Sequence, residues 1–307
     1  MYICAMQVNS LNNKVTVVIH TFNHENYISD CLKSILLQDA LKDMKVLIID
    51  DASTDDTLEI CKTFQMKNPD KIEIFPLQVN ELSQGLFVGF DRLKKIESEF
   101  IAWCDGDDYW TDKSKIRKQI EILENYSKIG IVHTNYEFIR KVGDEFIFEE
   151  RKDYEIAKSK AVKSGKDFIN GNHIKHSTCM ILRSAIDFDF VGSSKGIYAC
   201  DWLICISALR ALGVFYMNEK TTIAHITEKG VWNGSSNERN NDQKLKIRRH
   251  CAANLPNSKL RYLFIRRVFL DWIRSGISKS PAYSIVRPVV FRFRRIKIRK
   301  IVNAIRR

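Results

Sequence analysis

The first 125 residues alternate between two kinds of segment, and this alternation constrains the fold of the chain more than any other feature. Segments with apolar residues at helical spacing separate short β-branched apolar runs of buried-strand length. The four runs are VTVVIH (15–20), KVLIID (45–50), KIEIF (71–75) and EFIAWC (99–104). Strands and helices in this order predict an α/β fold, in which helices cover a parallel sheet and sites lie at the carboxyl ends of the strands.

The same periodicities predict the other elements. Helices are expected over residues 25–37, from Ser53 or Thr54 to Phe64, and over 86–97, 113–125 and 200–212. Further strands are expected over residues 129–139, 178–183, 214–217 and 221–226. Residues 227–243 are rich in Gly, Asn and Ser and predict a loop, and the tail after about residue 244 is predicted to be helical.

The charge of the chain is divided unequally. Residues 243–307 contain nineteen Lys or Arg and a single acid, Asp271, although the formal net charge of the whole chain is only +12. A mildly acidic body therefore carries a strongly basic tail, which predicts an anionic partner, either nucleic acid or lipid headgroups. We expect one domain over residues 1–242 and a basic helical region over 243–307.

Membrane-spanning and zinc-binding classes are disfavoured by the sequence. No apolar stretch approaches the roughly 20 residues that span a bilayer, and the N-terminus lacks the basic start and apolar core of a signal peptide. The eight cysteines include no CxxC pair, so we expect reduced, buried thiols. These features predict a cytoplasmic protein.

An acidic motif, Asp105-Gly106-Asp107-Asp108, follows directly on the fourth strand. Three carboxylates within four residues form a cluster of like charge that needs a counter-ion. A hard divalent cation prefers oxygen ligands, and a diphosphate would complete its coordination. The alternative is a solvated acidic turn that caps the next helix, but the position after a buried strand favours a metal site.

Polar residues also follow the first two strands. The second strand ends in DDASTD (50–55), where a carboxylate can accept from a uracil N–H or a ribose hydroxyl. Capping of a strand-to-helix turn is the other interpretation. The first strand ends in HTFN (20–23), whose aromatic and polar groups could contact a base.

Together these segments resemble a known family. VTVVIHTFNHENYISDCLKSILLQ, VLIIDDASTDDT and FIAWCDGDDYWTDKSK are similar, in order, spacing and strand context, to the nucleotide-binding half of family 2 of the inverting glycosyltransferases. Weaker similarity continues through HSTCMILRS, CDWLICISALRALG and GVWNGSS. The resemblance implies a GT-A fold, with a Rossmann-like nucleotide-binding sheet over about 14–125 and an acceptor and catalytic half over about 126–242.

The resemblance also implies a site for a nucleotide-sugar donor. Thr21, Phe22 and Glu25 fall where the family contacts the nucleotide. Asp51 falls on the carboxylate that reads the base, which favours a UDP-sugar, and Asp105 falls near the ribose and the metal.

The metal and the catalytic base are implied in the same way. Asp105 and Asp107 match the DxD pair, with Asp107 as the direct ligand of Mn²⁺ or Mg²⁺, and Asp201 matches the base. An inverting transfer is a single displacement, so a base must deprotonate the acceptor hydroxyl opposite the leaving diphosphate, whose charge the metal stabilises. An ordinary carboxylate at a helix N-terminus is the alternative for Asp201.

Three departures from the family pattern stand out. His20 and Phe22 replace the usual Pro and Tyr at the end of the first strand, and Cys200 stands where Glu often precedes the base. Related sequences often carry Tyr-Arg-x-His before Gly-Val-Trp. Alignment without a gap puts Thr227 at that histidine, whereas a two-residue shift makes it His225, a candidate ligand of the metal or diphosphate.

Aromatic residues and the remaining histidines are open to two interpretations. Trp110 and Trp232 are candidate stacking platforms for the acceptor sugar, because aromatic faces pack against pyranose C–H groups; either could equally belong to the core. His133, His173 and His176 are expected to be structural.

The basic tail predicts association with a membrane surface. Residues 259–274 mix arginines with aromatic and aliphatic residues, as interfacial helices do, and residues 286–307 contain nine Lys or Arg and no acid. Basic residues close to an anionic bilayer contribute roughly 1 kcal/mol each. No recognised RNA- or DNA-binding motif accompanies the charge, so nucleic acid is disfavoured, and a solvated tail is the remaining alternative.

These observations predict transfer of a sugar from a nucleotide-sugar to an acceptor hydroxyl. With the basic tail they favour a lipid-linked saccharide acceptor at the cytoplasmic face of the cell membrane, as in bacterial surface-polysaccharide assembly. A nucleotidyltransferase is disfavoured because the chain lacks a Gly-rich, Arg-containing loop after the first strand. A catalytically inactive relative would be favoured if Asp107 or Asp201 faced away from the donor pocket.

Overall fold

Four parallel strands of buried Val, Ile and aromatic residues form the first part of the sheet. They are β1 (Val15–Thr21), β2 (Met44–Asp50), β3 (Ile72–Pro76) and β4 (Phe100–Asp105). β1 pairs with β2 on one side and with β4 on the other, and β3 pairs with β2. The register sets Thr21 beside Asp50 and His20 beside Asp105, so the polar strand ends meet at one edge. The predicted α/β fold is confirmed.

The computed structural model describes residues 13–142, 145–149, 162–163, 165–210, 212–227 and 236–274. Six further strands lie in this range: β5 (Asp108–Trp110), β6 (Ile129–Val142), β7 (Glu145–Glu149), β8 (Val162–Lys163), β9 (Cys179–Leu182) and β10 (Gly213–His225). The sheet order is β3-β2-β1-β4-β9-β6-β10-β5, with β7 beside β6 and β8 beside β10. β9 is antiparallel to both β4 and β6, so it joins the parallel block to the rest of the sheet.

Eight α-helices are found in the described residues: α1 (Ile28–Leu36), α2 (Thr57–Lys67), α3 (Phe90–Leu93), α4 (Lys115–Asn125), α5 (Phe188–Gly192), α6 (Cys200–Ala208), α7 (Asn237–Asn254) and α8 (Lys259–Arg274). Short 3₁₀ turns occur at Leu41–Asp43, Gly165–Ile169, His176–Thr178 and Arg183–Ala185. α1 and α4 bury their apolar stripes in the core that β1, β2 and β4 also line. The seven cysteines in the described range are free and buried, as predicted.

Three elements differ from the sequence-based predictions. The helix predicted over 86–97 is the single turn α3, because Gly89 immediately before it is left-handed, with φ of +65°, and a Cβ there would lie 2.7 Å from Ile49. The two strands predicted near 214–226 form one strand with shifts in register. Within the predicted loop, residues 237–243 are helical, because the Ser236 hydroxyl accepts from the Arg239 N–H and caps α7.

The chain divides into two compact units. The first contains the residues up to Phe168 together with Asn172–Ser235, and the second contains Ile169–Gly171 and the chain from Ser236 onward. The helical tail predicted after residue 244 is confirmed as far as Arg274, and residues 275–307 lie outside the described range. Among the described helices, none combines the length and the apolar character that a membrane span requires.

The lone acid of the tail has a structural role in the second unit. Asp271 accepts from Arg248 at 2.9 Å and from Arg267 at 3.0 Å. The Arg248 guanidinium also donates to the carbonyls of Ile169 and Asn170. Since Arg248 is buried, these bonds compensate its charge and connect α7 to α8.

Candidate active site

The three carboxylates of the acidic motif meet at the carboxyl end of β4. Asp105 closes β4, Asp108 opens β5, and the carboxylate oxygens of Asp105, Asp107 and Asp108 lie within 4.8 Å of one another. Three oxygen donors this close together fit a hard divalent cation such as Mn²⁺ or Mg²⁺. The cluster predicted from the sequence is therefore present as a geometric unit.

Lys175 enters this cluster from a distant part of the chain. Its Nζ lies 2.9 Å from Asp105 Oδ2 and 2.8 Å from Asp108 Oδ2. The Ser177 hydroxyl contacts the same two carboxylates, and His176 Nδ1 lies 3.5 Å from Asp105 Oδ1. Sequence reasoning assigned no role to Lys175 or Ser177 and expected His176 to be structural. The available signal was a lysine directly before HSTCMILRS, a segment that resembles the family weakly.

The surroundings give Asp105 and Asp108, the two carboxyls paired with Lys175, different pKa values. Burial opposes ionisation of Asp105, but the charges of Lys175 and His176 outweigh it and hold its pKa well below the ordinary value. Burial raises the pKa of Asp108 to about 7. The positive charge of Lys175 opposes this rise in pKa, and the negative charges of Asp107 and Asp105 add to it. The carboxylates raise the pKa of Lys175 well above its ordinary value despite burial. Lys175 therefore remains an ammonium ion.

Asp107 is the carboxylate with the fewest protein partners. Within the described residues its side chain has one recorded contact, His24 Nε2 at 4.0 Å from Oδ2. Of the three carboxylates, it therefore has the most capacity to bind an added ligand.

Gly106 allows this motif to approach the end of β1. A Cβ at residue 106 would lie 2.7 Å from Thr21 Oγ1 and 2.8 Å from His24 Nδ1, closer than carbon approaches either atom. The Gly106 N–H also donates to the carbonyl of His20 at 2.9 Å.

We expect Gly106→Ala to destabilise the protein by about 1–3 kcal/mol and to weaken donor binding, because the acidic motif must move away from Thr21. Denaturant unfolding and UDP titration would measure both effects. Gly171→Ala is the matched control, since no described atom lies within 4 Å of a Cβ at residue 171. Equal behaviour of the two variants would contradict this account of Gly106.

The predicted donor residues lie in the turns that follow β1 and β2. Thr21 is buried beside His24, whereas Phe22 is 38% exposed and offers a face to a base. The Glu25 carboxylate accepts from the Asp56 N–H at 3.1 Å. Asn23 is left-handed, with φ of 55°, and its side chain accepts from the Thr54 N–H. These bonds fix one turn against the other.

Asp51, which follows β2, is almost completely buried. It is 3% exposed, and its two oxygens accept from the backbone N–H groups of Glu81 and Leu82 at 2.7 and 3.2 Å. Burial raises the pKa of Asp51, and the two backbone bonds oppose this shift. Each carboxylate oxygen has a second acceptor position, so Asp51 retains capacity for a donor N–H or hydroxyl.

His225 lies beside the acidic cluster. Its Nδ1 is 2.6 Å from the carbonyl oxygen of Asp107, and its backbone N–H donates to Asp108 Oδ1 at 3.3 Å. Because a carbonyl only accepts, Nδ1 carries the proton and Nε2 keeps a lone pair. Burial lowers the pKa of His225, so the ring is neutral at neutral pH. It is adjacent to the three carboxylates but does not belong to their 4.8 Å group.

Of the two candidate stacking tryptophans, Trp110 belongs to the core. It is 4% exposed, its Nε1 donates to the carbonyl of Ser177, and the Lys115 ammonium lies 4.0 Å from its ring centroid. No face of Trp110 is open to an acceptor sugar. Trp232 lies outside the described residues.

Asp201 lies in the first turn of α6, where a second residue orients it. Asn172 Nδ2 donates to Asp201 Oδ2 at 2.6 Å, and Asn172 Oδ1 accepts from the Ile174 N–H at 3.1 Å. The backbone donor fixes the orientation of the amide, so the NH₂ group must face Asp201. Within the part of the chain that the structure describes, Oδ1 of Asp201 has no hydrogen-bond partner, so it can accept from a hydroxyl.

Comparison with known proteins decides the family. The family model described as Glycosyl transferase family 2 matches residues 16–188, which is more than half of the chain. The chain belongs to glycosyltransferase family 2. The predicted membership is thus confirmed.

Relatives of this family 2 chain are found in several bacteria. An uncharacterised protein of Mycobacterium tuberculosis is 24% identical over 230 residues, which are 73% of this chain and 62% of that protein. The dTDP-rhamnosyl transferase RfbG of Shigella flexneri is 41% identical over 107 residues, 34% of this chain and 36% of RfbG. This chain therefore spans less than two thirds of the length of these relatives.

Solved structures of two glycosyltransferases share the fold. Staphylococcus aureus TarS 1–349, in complex with UDP-GlcNAc, matches with a TM-score of 0.63 at 18% identity, over 89% of this chain and 75% of that one. The mannosyltransferase PcManGT of Pyrobaculum calidifontis, in complex with GDP-Man and Mn²⁺, matches with a TM-score of 0.57 at 14% identity, over 91% and 80%. The fold of this family 2 chain is GT-A, as predicted.

Proposed function

We propose that this chain transfers a sugar, with inversion, from a nucleotide-sugar to an acceptor hydroxyl. The observation that carries the proposal is the group of three carboxylates within 4.8 Å at the end of β4, in a chain of glycosyltransferase family 2. Asp105 and Asp107 would hold a Mn²⁺ or Mg²⁺ ion, which when bound stabilises negative charge on the diphosphate leaving group.

Asp201 is the proposed base of the transfer. As the acceptor oxygen bonds to the anomeric carbon and the bond to the diphosphate breaks, the hydroxyl proton passes to Asp201. Asn172 supports this role, because its N–H holds one carboxylate oxygen and leaves the other to the acceptor. Phe22, Asp51 and the turn that contains Glu25 are the proposed contacts to the nucleotide.

A uridine donor is the version of the proposal that we favour. TarS was solved with UDP-GlcNAc, and RfbG is named a dTDP-rhamnosyl transferase. Uracil and thymine both carry a ring N–H that can donate a hydrogen bond to a carboxylate such as Asp51. PcManGT was solved with GDP-Man, so the fold alone does not select the base.

Hydrolysis of a panel of UDP-, dTDP- and GDP-sugars, with and without Mn²⁺, tests this proposal. We expect turnover of a UDP-sugar that depends on the divalent ion. Turnover confined to GDP-sugars would contradict the uridine assignment. An absence of both turnover and donor binding would favour a catalytically inactive relative, and release of pyrophosphate from a nucleoside triphosphate would identify a nucleotidyltransferase.

For the acceptor we propose a lipid-linked saccharide, reached from an anionic membrane surface. The support is the charge of the tail: residues 275–307 contain ten Lys or Arg and no acid. The two described helices of the second unit are joined through Arg248 and Asp271, so removal of the residues beyond Arg274 spares this ion pair. A peripheral location on the inner face of the cell membrane follows from the same proposal.

We expect truncation after Arg274 to release the protein from anionic liposomes and to leave turnover of a soluble acceptor analogue nearly unchanged. The reason is electrostatic, since each basic residue near the bilayer contributes roughly 1 kcal/mol. Cosedimentation with anionic and with zwitterionic vesicles is the measurement and its control. Continued sedimentation of the truncated protein with anionic vesicles would place the membrane site elsewhere in the chain.

A further inference from the structure

A cation already lies among the three carboxylates of the acidic cluster. The Lys175 ammonium is within 2.9 Å of both Asp105 and Asp108, whereas the Asp107 carboxylate acts on it only from a longer distance. Lys175 therefore divides the cluster into two paired carboxylates and one that remains open. Asp108 is 1% exposed, so its charge has little help from solvent.

The backbone that carries Lys175 is fixed by its own hydrogen bonds. The Lys175 carbonyl accepts from the Thr178 N–H at 3.0 Å and from the Thr178 hydroxyl at 2.7 Å. Ser177 and Thr178 are fully buried, and Ile174 on the other side of Lys175 is buried as well. Rotation of the Lys175 side chain away from the cluster would leave the buried Asp108 carboxylate without its ion-pair partner.

We propose that Lys175 is a built-in counter-cation that keeps the affinity of the cluster for a divalent ion low until a donor diphosphate is present. This inference rests on the proposed metal-dependent function. With Lys175 in place, one positive charge is already shared by Asp105 and Asp108, and the ammonium repels a second cation. A bound diphosphate adds the negative charge that is missing, so metal and donor are taken up together.

Two other roles for Lys175 make different predictions. A purely structural partner of Asp108 would affect stability and leave the Mn²⁺ affinity of the folded protein unchanged. A direct ligand of the diphosphate would strengthen UDP binding even when metal is absent. Metal affinity measured without nucleotide therefore distinguishes these roles.

The experiment is a titration of the full chain with Mn²⁺, followed by the electron paramagnetic resonance signal of the free ion, with and without UDP. The variants are Lys175→Met, which keeps length and removes charge, and Lys175→Arg, which keeps charge. Lys118→Met is the matched control, because Lys118 also binds two carboxylates, Asp112 and Glu219, outside the cluster. Circular dichroism and thermal unfolding establish that each variant is folded.

We expect Lys175→Met to bind Mn²⁺ in the absence of UDP on the order of tenfold more tightly than the unmodified protein, because a like charge has been removed beside the site. UDP should then increase the Mn²⁺ affinity of this variant less than it increases that of the unmodified protein. Lys118→Met should match the unmodified protein within about twofold, because its charge lies outside the cluster, and Lys175→Arg should not gain Mn²⁺ affinity, because it keeps the positive charge.

Unchanged or weaker Mn²⁺ binding by folded Lys175→Met, while the unmodified protein binds Mn²⁺ with UDP, would overturn the role of Lys175 alone. Weaker UDP binding by Lys175→Met without metal, together with unchanged Mn²⁺ affinity, would overturn it in favour of a direct diphosphate contact. Failure of every protein to bind Mn²⁺ even with UDP would refute the metal-dependent function, and the inference with it.

Discussion

Asp201→Asn lowers sugar transfer by about 10²–10⁴-fold and leaves donor affinity nearly unchanged, if Asp201 is the base of the reaction. The substitution keeps the size of the side chain and its ability to hydrogen-bond to Asn172, but an amide cannot accept a proton at neutral pH. The donor is held elsewhere in the proposal, by the turns after β1 and β2 and by the acidic cluster. Initial rates of transfer and UDP titration measure the two quantities separately.

A matched control for this variant exists in the same unit. Asp189 lies in the first turn of α5, as Asp201 lies in the first turn of α6, and it pairs with Lys94 at the surface. Asp189→Asn should transfer sugar at the normal rate. Loss of both transfer and UDP binding in Asp201→Asn would instead indicate a structural or donor-site role, and full retention of transfer would mean that another group is the base.

Asp107→Asn should abolish the stimulation of donor binding by Mn²⁺ and lower transfer by about 10²–10³-fold, the usual cost of losing one electrostatic contact to a developing charge. The fold should survive, because among the described residues the Asp107 carboxylate contacts only His24, at 4.0 Å, and its removal relieves repulsion from two neighbouring carboxylates. Mn²⁺-dependent UDP binding, transfer rate and thermal unfolding are the three measurements.

The control for Asp107→Asn is Asp39→Asn, which removes a carboxylate paired with Arg117 at the surface. This control should behave as the unmodified protein in all three assays. If Asp107→Asn retains Mn²⁺-stimulated donor binding, the assignment of Asp107 as the metal ligand is wrong. If Asp107→Asn unfolds, the Asp107 carboxylate contributes to the stability of the fold.

The strands and helices could be predicted from the sequence because each depends on residues that are close together in the chain. Runs such as VTVVI and FIAWC bury every residue, and the apolar stripes of α1 and α4 repeat at helical spacing, so each element follows from a short stretch of chain. The acidic motif could be placed at a strand end for the same reason. Its three carboxylates are separated by no more than three residues, and the structure places them together as expected.

The tertiary structure decided what surrounds those carboxylates, because the contacts join residues about seventy positions apart. Lys175 and Ser177 reach Asp105 and Asp108 only because β9 enters the sheet antiparallel to β4, and no periodicity in the sequence records that insertion. The sequence determined by itself that an acidic site would form at the end of β4. Only the packing of distant segments placed Lys175 in this acidic site, where its ammonium compensates the charge of the buried Asp108.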